Sequence, residues 1–189
     1  MIIKSYETEK IKNISSKVTL LYGENDGFKK QVFNDFFAIN FKGEIDRIEE
    51  NEILNNFDQF ISSLTNKSFF EESKLILISR VTDKIIKLID NILDRSIEDT
   101  KIILNAGILE KKSNLRLKFE KEKNLVCIPF YKDDIRTLTQ IANNFFIKKK
   151  ISISQEFINL IVERSSGDRI NLSNELEKIS LFMIDKKKI

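Results

Sequence analysis

The chain has 189 residues, of which 41% are hydrophobic and 32% are charged, and its net charge is +3. This length suits one larger domain or two small ones, and so mild a charge does not indicate a surface coated with basic residues. The sequence contains no histidine and a single cysteine, Cys127, which excludes catalytic constellations that need histidine, zinc sites of the usual kinds and a disulfide framework. No apolar stretch of the sequence reaches membrane-spanning length, so we expect a cytoplasmic protein without a membrane partner.

Apolar runs of strand length alternate with helical patterns through the first two thirds of the chain. The predicted strands cover residues 18–22, 44–48, 75–78, 102–104 and 125–128. We expect Pro129 to close the last strand and Asn105 to lie in a turn after the fourth. Strands without polar alternation, separated by helices, are typical of a parallel sheet covered on both faces. The sequence therefore predicts an α/β domain with five mainly parallel strands.

Helical stripes connect these strands. The first helix follows Gly23, with Asn25 or Asp26 as its N-cap, and we expect Gly43 to end it. Its predicted apolar stripe is Phe28, Val32 and Phe36, widened by Phe33 and Phe37. The next helix has the clearest amphipathic face of the chain, formed by Ile53, Phe57, Phe60, Ile61 and Leu64. Two later helices are predicted, one from Ile85, Ile86, Leu88, Ile89, Ile92 and Leu93, and one over residues 111–123 from Leu115 and Phe119.

No strand is predicted from residue 133 onward, where three helical stripes follow one another. Ser154 and Asp168 are the expected N-caps of the second and third of these helices. The residues predicted to face inward are Ile135, Leu138, Ile141, Ala142 and Phe145, then Phe157, Leu160 and Ile161, then Leu172, Leu176, Ile179 and Phe182. We therefore expect two domains, residues 1–132 and residues 133–189, with a hinge near residues 130–132 and a three-helix bundle as the second domain.

The turn after the first strand stands where a phosphate-binding loop would lie. Such a loop has the pattern Gly-x-x-x-x-Gly-Lys-Ser/Thr, because its backbone N–H groups wrap the phosphates and its hydroxyl holds Mg²⁺. Here Gly27 follows Gly23 at the wrong spacing, and Phe28-Lys29-Lys30 replaces the glycine, lysine and hydroxyl residue. The third strand ends in Ser79-Arg80, where acidic residues would hold Mg²⁺. We interpret residues 23–27 as a plain strand-to-helix turn and expect no catalytic residue, cofactor or metal.

The basic residues of the predicted helix over residues 111–123 are suited to contact a phosphate backbone. They are Lys111, Lys112, Arg116 and Lys118. Acidic residues are interspersed among them, at Glu110, Glu120 and Glu122. So mixed a pattern favours an ordinary solvated helix face. Both interpretations stay open, and the candidate DNA contacts are Lys111, Lys112 and Arg116.

Two adjacent phenylalanines, Phe69 and Phe70, lie between the amphipathic helix and the third strand. Neighbouring side chains on a helix do not share a face, so both rings are core residues only if the helix has already ended. One interpretation is that one ring packs inward while the other covers the helix end. The other is an aromatic wedge on a loop that inserts into a groove of a partner.

Four stretches of the sequence, taken in order, match one known pattern. They are Leu20-Leu21-Tyr22-Gly23-Glu24, Ser68-Phe69-Phe70, Lys101-Ile102-Ile103-Leu104 followed by Leu109-Glu110-Lys111-Lys112-Ser113, and Ser166-Gly167-Asp168 with Asn174-Glu175-Leu176-Glu177-Lys178-Ile179. Their order and spacing resemble the delta subunit of the bacterial DNA polymerase III clamp loader. The resemblance covers nearly the whole chain, and Ser68-Phe69-Phe70 stands where this family has Ser-Leu-Phe.

The resemblance implies an ATPase-like (AAA+) domain without working ATP chemistry, a three-helix lid, and a helical collar domain that would follow Ile189. It implies a subunit that binds the ring-shaped beta sliding clamp and, with other loader subunits, opens the ring for loading onto primed DNA. Ser68, Phe69 and Phe70 are then the clamp-binding residues. A divergent P-loop nucleotide hydrolase and a DNA-binding accessory domain are the alternatives. A nucleotide-binding assay tests the former, and a salt-dependent DNA titration tests the latter.

Overall fold

The computed structural model of the chain describes residues 1–65, 73–95, 97 and 99–183. Contacts divide the chain into two compact units, one formed by Met1–Glu24 and Lys29–Phe130 and the other by Asn25–Phe28 and Tyr131–Ile189. Compactness alone does not show independent folding, so the domain boundary expected between residues 132 and 133 stays a prediction. None of the helices within the described residues is long and apolar enough to cross a membrane.

One sheet forms the centre of the first unit. Its five strands are β1 (Val18–Gly23), β2 (Glu44–Glu49), β3 (Lys74–Val81), β4 (Thr100–Ala106) and β5 (Val126–Phe130). They lie in the order β2-β3-β4-β1-β5, and every pairing between them is parallel. The predicted α/β class with five parallel strands is confirmed. Because the strands are parallel, all their carboxyl ends meet at one edge of the sheet and all their amino ends at the other.

All five strands end later than predicted, and β3, β4 and β5 do so by two residues or more. β3 runs on to Val81 through a bulge, in which Arg80 has a left-handed φ of 58°. β5 includes Pro129, which is in register with Tyr22 of β1, so the prediction that Pro129 closes this strand was wrong. Proline is tolerated because β5 is an edge strand, and one side of its backbone needs no partner in the hydrogen-bond ladder.

Helices connect these strands and pack on the sheet. They are α1 (Thr8–Lys12), α2 (Asp26–Val32), α3 (Glu50–Asn55), α4 (Phe57–Thr65), α5 (Ile86–Asp94) and α6 (Asn114–Lys121). One apolar core joins helices to strands, with Leu20, Ile78, Leu88 and Phe119 all completely buried. Removing each of these side chains from water stabilises the fold by about 1.5–3 kcal/mol.

The first connecting helix differs from its prediction. A π-helix, Phe33–Ala38, follows α2 directly, so the helical segment ends well before Gly43. A π-turn holds one more residue than an α-turn and rotates the side chains that follow it around the helix axis. As a result Phe36 of the predicted stripe is only half-buried. Phe28 is half-buried as well, but it precedes the π-helix, in α2. The buried residues of the two helical segments are Lys29, Val32, Phe33 and Phe37.

The single amphipathic helix predicted from Ile53 to Leu64 is in fact two helices, α3 and α4. They are separated at Asn56, whose φ of −128° and ψ of 42° are not helical. The apolar face nevertheless packs as predicted, because both helices contribute to the same core. Its buried members are Ile53, Phe60, Ile61 and Leu64.

The second unit contains the helices α7 (Ile135–Lys149), α8 (Gln155–Arg164) and α9 (Arg169–Met183). As predicted, none of its described residues lies in a strand. The Ser154 hydroxyl accepts from the Phe157 amide at 3.3 Å, and the Asp168 carboxylate accepts from the Asn171 amide at 2.9 Å. Both predicted N-caps are therefore confirmed.

The buried faces of these three helices agree with the prediction only in part. Buried as expected are Leu138, Ala142, Ile161, Leu172 and Leu176. Ile135, Phe157, Leu160 and Phe182 were expected to face inward, and all four are exposed. Each helix instead buries a neighbouring residue on the adjacent side of its axis. The core of the bundle consists of Leu138, Ala142, Phe146, Ile158, Ile161, Val162, Leu172 and Leu176.

A polar cluster around Asp133 belongs to the second unit. Arg169 Nε donates to Asp133 Oδ2 at 2.7 Å, and the guanidinium carbon lies 3.9 Å from the centre of the Phe28 ring. Asn25 Nδ2 also donates to Asp133 Oδ2, at 2.8 Å, while its Oδ1 accepts from the Phe28 amide at 3.0 Å. Asn25 is therefore the N-cap of α2. The ion pair is largely shielded, with side-chain exposures of 11% and 6%, so loss of either partner would leave a poorly solvated charge.

Candidate functional site

The carboxyl edge is where open α/β sheets bind ligands. β1 reaches this edge at Gly23, whose φ of 124° is rarely adopted by residues with a side chain. The Gly23 amide donates to the carbonyl oxygen of Gly107, just beyond β4, at 2.9 Å. A Cβ atom on Gly23 would lie 2.1 Å from the carbonyl oxygen of Phe130 in β5. Only glycine fits between the two neighbouring strands at this point.

Lys29 of α2 directs its ammonium group at the ends of two strands. Its side chain is only 2% exposed, and Nζ donates to the carbonyl oxygens of Gly23 at 2.9 Å and of Ala106 at 2.6 Å. In a phosphate-binding loop, a lysine at the start of this helix reaches the phosphates instead. Here the ammonium group binds the main chain at the ends of β1 and β4.

β3 ends beside a buried carboxylate. Glu50, at the start of α3, is 3% exposed and accepts from both the amide and the hydroxyl of Thr82, each at 2.8 Å. Arg80, in the bulge, is exposed, and its Nη1 lies 3.2 Å from the Glu49 carboxylate. The Glu50 carboxylate is therefore held by the loop after β3, whereas Arg80 stands at the surface, where an ion pair contributes little to stability.

Asn105 lies inside β4, in register with Leu21 of β1 and Ser79 of β3. The prediction that it lies in a turn was wrong, because both neighbouring strands continue past it and extend the ladder. Within the described part of the chain, its buried Oδ1 has no hydrogen-bond donor. An unpaired buried oxygen of this kind costs about 1–3 kcal/mol. A ligand or a water molecule that donates a hydrogen bond would stabilise it.

A cleft of about 780 Å³ opens beside the ends of β3 and β4. Its lining combines apolar Val81 and Leu109 with the cationic side chains of Arg80, Lys84 and Lys112. Apolar walls with a few charged groups are the usual composition of ligand pockets, and the volume falls in their usual range. The cleft is thus suited in size to a small ligand, whereas its positive charge is partly neutralised, because Glu110 also lines it and lies 3.0 Å from Lys112 Nζ.

Asp83 also lines this cleft, but its carboxylate is used to cap α6. Oδ1 accepts from the Ser113 hydroxyl at 2.7 Å and from the Leu115 amide at 3.0 Å, and Oδ2 accepts from the Asn114 amide at 3.0 Å. The hydrogen bond from Ser113, together with those from the two amides, lowers the pKa of Asp83 against the opposing effect of burial. The chain's own carboxylate therefore occupies the start of this helix.

The candidate DNA contacts lie in α6 and in the turn before it, since α6 is shorter than predicted. Lys111 and Lys112 are exposed in that turn. Arg116 is engaged within the unit: its Nε donates to Glu120 at 2.7 Å, and its guanidinium lies 5.3 Å from the centre of the Tyr22 ring. DNA contact by Lys111, Lys112 and Arg116 stays a prediction, for which the two lysines are better placed than Arg116.

The segment that carries Ser68, Phe69 and Phe70 lies outside the described residues. The chain enters it from the end of α4 and leaves it at Ser73, directly before β3. Since β3 begins there, the segment joins the sheet at its amino edge. The assignment of these three residues to clamp binding stays a prediction. Within the described ranges, acidic and cysteine side chains form no group of three or more that would hold a metal ion.

The chain resembles known proteins in structure but not in sequence. No protein-family model and no curated protein sequence matches the chain. Among solved structures it is similar to the DNA clamp loader delta protein of Bacillus subtilis, at 15% identity and a TM-score of 0.58. That match covers 98% of this chain and 59% of the delta protein.

Two proteins of Thermotoga maritima have the same architecture. Domain III of the replication initiation protein DnaA is 11% identical with a TM-score of 0.58, over 98% of this chain and 85% of that one. The RuvB Holliday junction branch migration motor is 14% identical with a TM-score of 0.58, over 90% of this chain and 56% of that one. The chain has the AAA+ fold. The resemblance to a clamp loader delta subunit noted in the sequence therefore extends to the three-dimensional structure.

The interior position of Lys29 in this AAA+ fold was not foreseen from the sequence. A signal for it existed, because Lys29, Val32 and Phe33 stand at i, i+3 and i+4, which places them on one face of a helix. A lysine that shares a face with two large apolar residues is expected to bury its stem. The capping of α6 by Asp83 had no such signal, since 30 residues separate Asp83 from Ser113.

Proposed function

We propose that this chain is the clamp-opening subunit of a clamp loader, which binds the beta sliding clamp and favours an open interface of the ring without hydrolysing ATP. It would act in the cytoplasm with other loader subunits on primed DNA, with Lys111 and Lys112 as its nearest contacts to the DNA. The observation that carries the proposal is the place of Phe69 and Phe70 in the sequence, shortly before β3, in a chain whose fold resembles a clamp loader delta protein over 98% of its length.

The energy for opening would come from binding. Burying one phenylalanine side chain is worth about 1.5–3 kcal/mol, so Phe69 and Phe70 together supply about 3–6 kcal/mol before ordering costs. Aromatic anchors of this size dominate interfaces whose other contacts are nearly neutral. A ring interface opens if the subunit binds the open form more tightly, and each 1.4 kcal/mol of preference shifts the equilibrium about tenfold.

The surroundings of Lys29 support the part of the proposal that concerns ATP. A phosphate-binding lysine must be able to reach its ligand, whereas the ammonium group of Lys29 donates to Gly23 and Ala106 inside the protein. The residues after it also lack the hydroxyl that would hold Mg²⁺. Energy from ATP would then enter through other subunits of the loader and control when the wedge meets the clamp.

A second function, nucleotide binding, is favoured by one observation. The cleft of about 780 Å³ at the ends of β3 and β4 carries Arg80, Lys84 and Lys112, and it lies at the edge of the sheet where nucleotides bind in related folds. Titration with a fluorescent ATP analogue separates the two functions. The clamp-opening proposal expects no saturable binding, and turnover of ATP by the isolated chain would favour a divergent hydrolase.

The clamp-opening proposal is tested with the sliding clamp of the same organism, assembled on nicked circular DNA. Adding the chain without any nucleotide should release clamp from the circle, because opening needs only the preference for the open ring. Capture of the free clamp by the immobilised chain gives the binding step by itself. Failure to capture the clamp, or release only after ATP is added to this chain alone, would refute the proposal.

A further inference from the structure

The amino ends of β1, β3 and β4 surround a small pocket of about 250 Å³. Val18 of β1 is in register with Ile102 of β4, and Lys74 of β3 is in register with Thr100 of β4, so these three strands begin side by side. The pocket lies wholly within the first unit, at the opposite edge of the sheet from the cleft described above. Three lysines line it: Lys17, Lys74 and Lys101.

Lys101 lines this pocket, and its half-buried ammonium group has no acidic partner among the described residues. Nζ donates to the Ile14 carbonyl oxygen at 3.1 Å and lies 5.0 Å from the centre of the Phe37 ring. Burial alone lowers the pKa of this lysine. Across residues 1–65, 73–95, 97 and 99–183, no carboxylate lies at ion-pair distance from it. Since an ammonium group has three donors, Lys101 has hydrogen-bonding capacity left for an anion.

The other two lysines of the pocket, Lys74 and Lys17, differ in their pairing with acidic residues. Lys74 is already neutralised, because its Nζ lies 3.4 Å from the Glu44 carboxylate and 3.3 Å from that of Asp46. Lys17 is exposed beside Lys101, and its carbonyl oxygen accepts from the Ile102 amide at 2.8 Å, which fixes its backbone at the start of β4. Lys17 and Lys101 are therefore the two cationic groups in the pocket that suit an external anion.

The aromatic and acidic residues that line the pocket indicate which kind of anion it suits. Phe41 lines the same space as Lys17 and Lys101. Asp99 lines it as well, so the pocket would repel an anion of high charge more than a single carboxylate. An aromatic wall next to two ammonium groups suits a carboxylate on a short apolar stem, which is the chemistry of a glutamate or aspartate side chain.

One residue of the pocket adjoins, along the chain, the segment proposed to contact the clamp. Ser73 lines the pocket and directly follows residues 66–72. We infer that this pocket binds an acidic side chain of the sliding clamp, next to the groove that takes Phe69 and Phe70, with Lys101 and Lys17 binding its carboxylate. This inference rests on the proposed function, and it adds a charged contact to an aromatic one. Such contacts set orientation and specificity at an interface whose affinity comes from buried apolar groups.

The test compares a double variant, Lys17→Met with Lys101→Met, with the control variant Lys84→Met. Methionine keeps the length of the apolar stem and removes the charge, and Lys84 lies at the opposite edge of the sheet. The double variant should bind the clamp about tenfold more weakly than the wild type at low salt, and its affinity should depend less on salt. Its thermal stability should fall only slightly, because Lys101 makes a single hydrogen bond of 3.1 Å to a main-chain carbonyl oxygen that is only partly buried.

The outcomes separate this inference from the proposed function. If the wild type binds the clamp and the double variant binds it with the affinity and salt dependence of Lys84→Met, the inference is wrong and the proposed function stands. If the wild type does not bind the clamp, both are wrong. If the double variant loses affinity for primed DNA while keeping its affinity for the clamp, the pocket serves a phosphate and the inference is again wrong.

Discussion

Replacing Lys29 by methionine tests the role of the buried ammonium group. Nζ donates to the carbonyl oxygens of Gly23 at 2.9 Å and Ala106 at 2.6 Å. Hydrogen bonds that involve a charged group contribute about 1.5–3 kcal/mol each, which gives about 3–6 kcal/mol for the two. Methionine refills most of the volume and removes a charge that is costly to bury. The carbonyls belong to the main chain and remain unpaired, so we expect a loss of at least about 2 kcal/mol in the free energy of unfolding.

Urea unfolding followed by circular dichroism measures this loss, and Lys30→Met is the matched control. Lys30 is the next residue of the same helix but is exposed. Its replacement should change the free energy of unfolding by no more than about 0.5 kcal/mol. Equal stability of the two variants would refute the argument, because it would mean that the strand ends do not depend on the ammonium group.

Two further predictions concern the carboxyl edge of the sheet. Asp83→Asn should cost about 1 kcal/mol in urea unfolding at neutral pH. Because the folded-state pKa of Asp83 is lowered, its contribution to the free energy of unfolding is present above the unfolded pKa of about 3.9 and is lost as the pH falls through the folded pKa. The stability of the Asp83→Asn variant should lack this pH-dependent contribution. Gly23→Ala should prevent folding or lower the melting temperature sharply, since its Cβ would lie 2.1 Å from the Phe130 carbonyl oxygen, whereas Gly107→Ala meets no atom within 4 Å and should melt like the wild type.

The sheet could be predicted from the sequence because its central strands are continuous apolar runs. Leu20 and Leu104 belong to strands whose central residues are buried without alternation. Such apolar runs between helical patterns indicate a parallel sheet covered on both faces. The ends of the strands were less predictable, since they depend on neighbours. Pro129 stays in β5 because that strand lies at an edge, and Asn105 stays in β4 because β1 and β3 both continue beside it.

The helices were harder to predict in detail. The π-helix after Val32 changes which phenylalanines are buried, and hydrophobic periodicity assumes a regular helix throughout. The interruption at Asn56 divides an element that reads as one amphipathic stripe, although its apolar face stays buried. In the candidate site, the absence of the phosphate-loop residues was evident from the sequence itself. The partners of Lys29 were not, because Ala106 is 77 residues away in the chain and is brought close only by the sheet.

The central claim is that Phe69 and Phe70 bind the sliding clamp. Titration of the organism's own clamp with the wild type and with the double variant Phe69→Ala, Phe70→Ala tests it most directly, with thermal melts of both proteins beside it. Loss of about 3–6 kcal/mol of buried apolar contact predicts clamp binding at least about a hundredfold weaker, with nearly unchanged stability. A double variant that melts much earlier yet binds the clamp normally would show that the two rings are core residues and would contradict the claim.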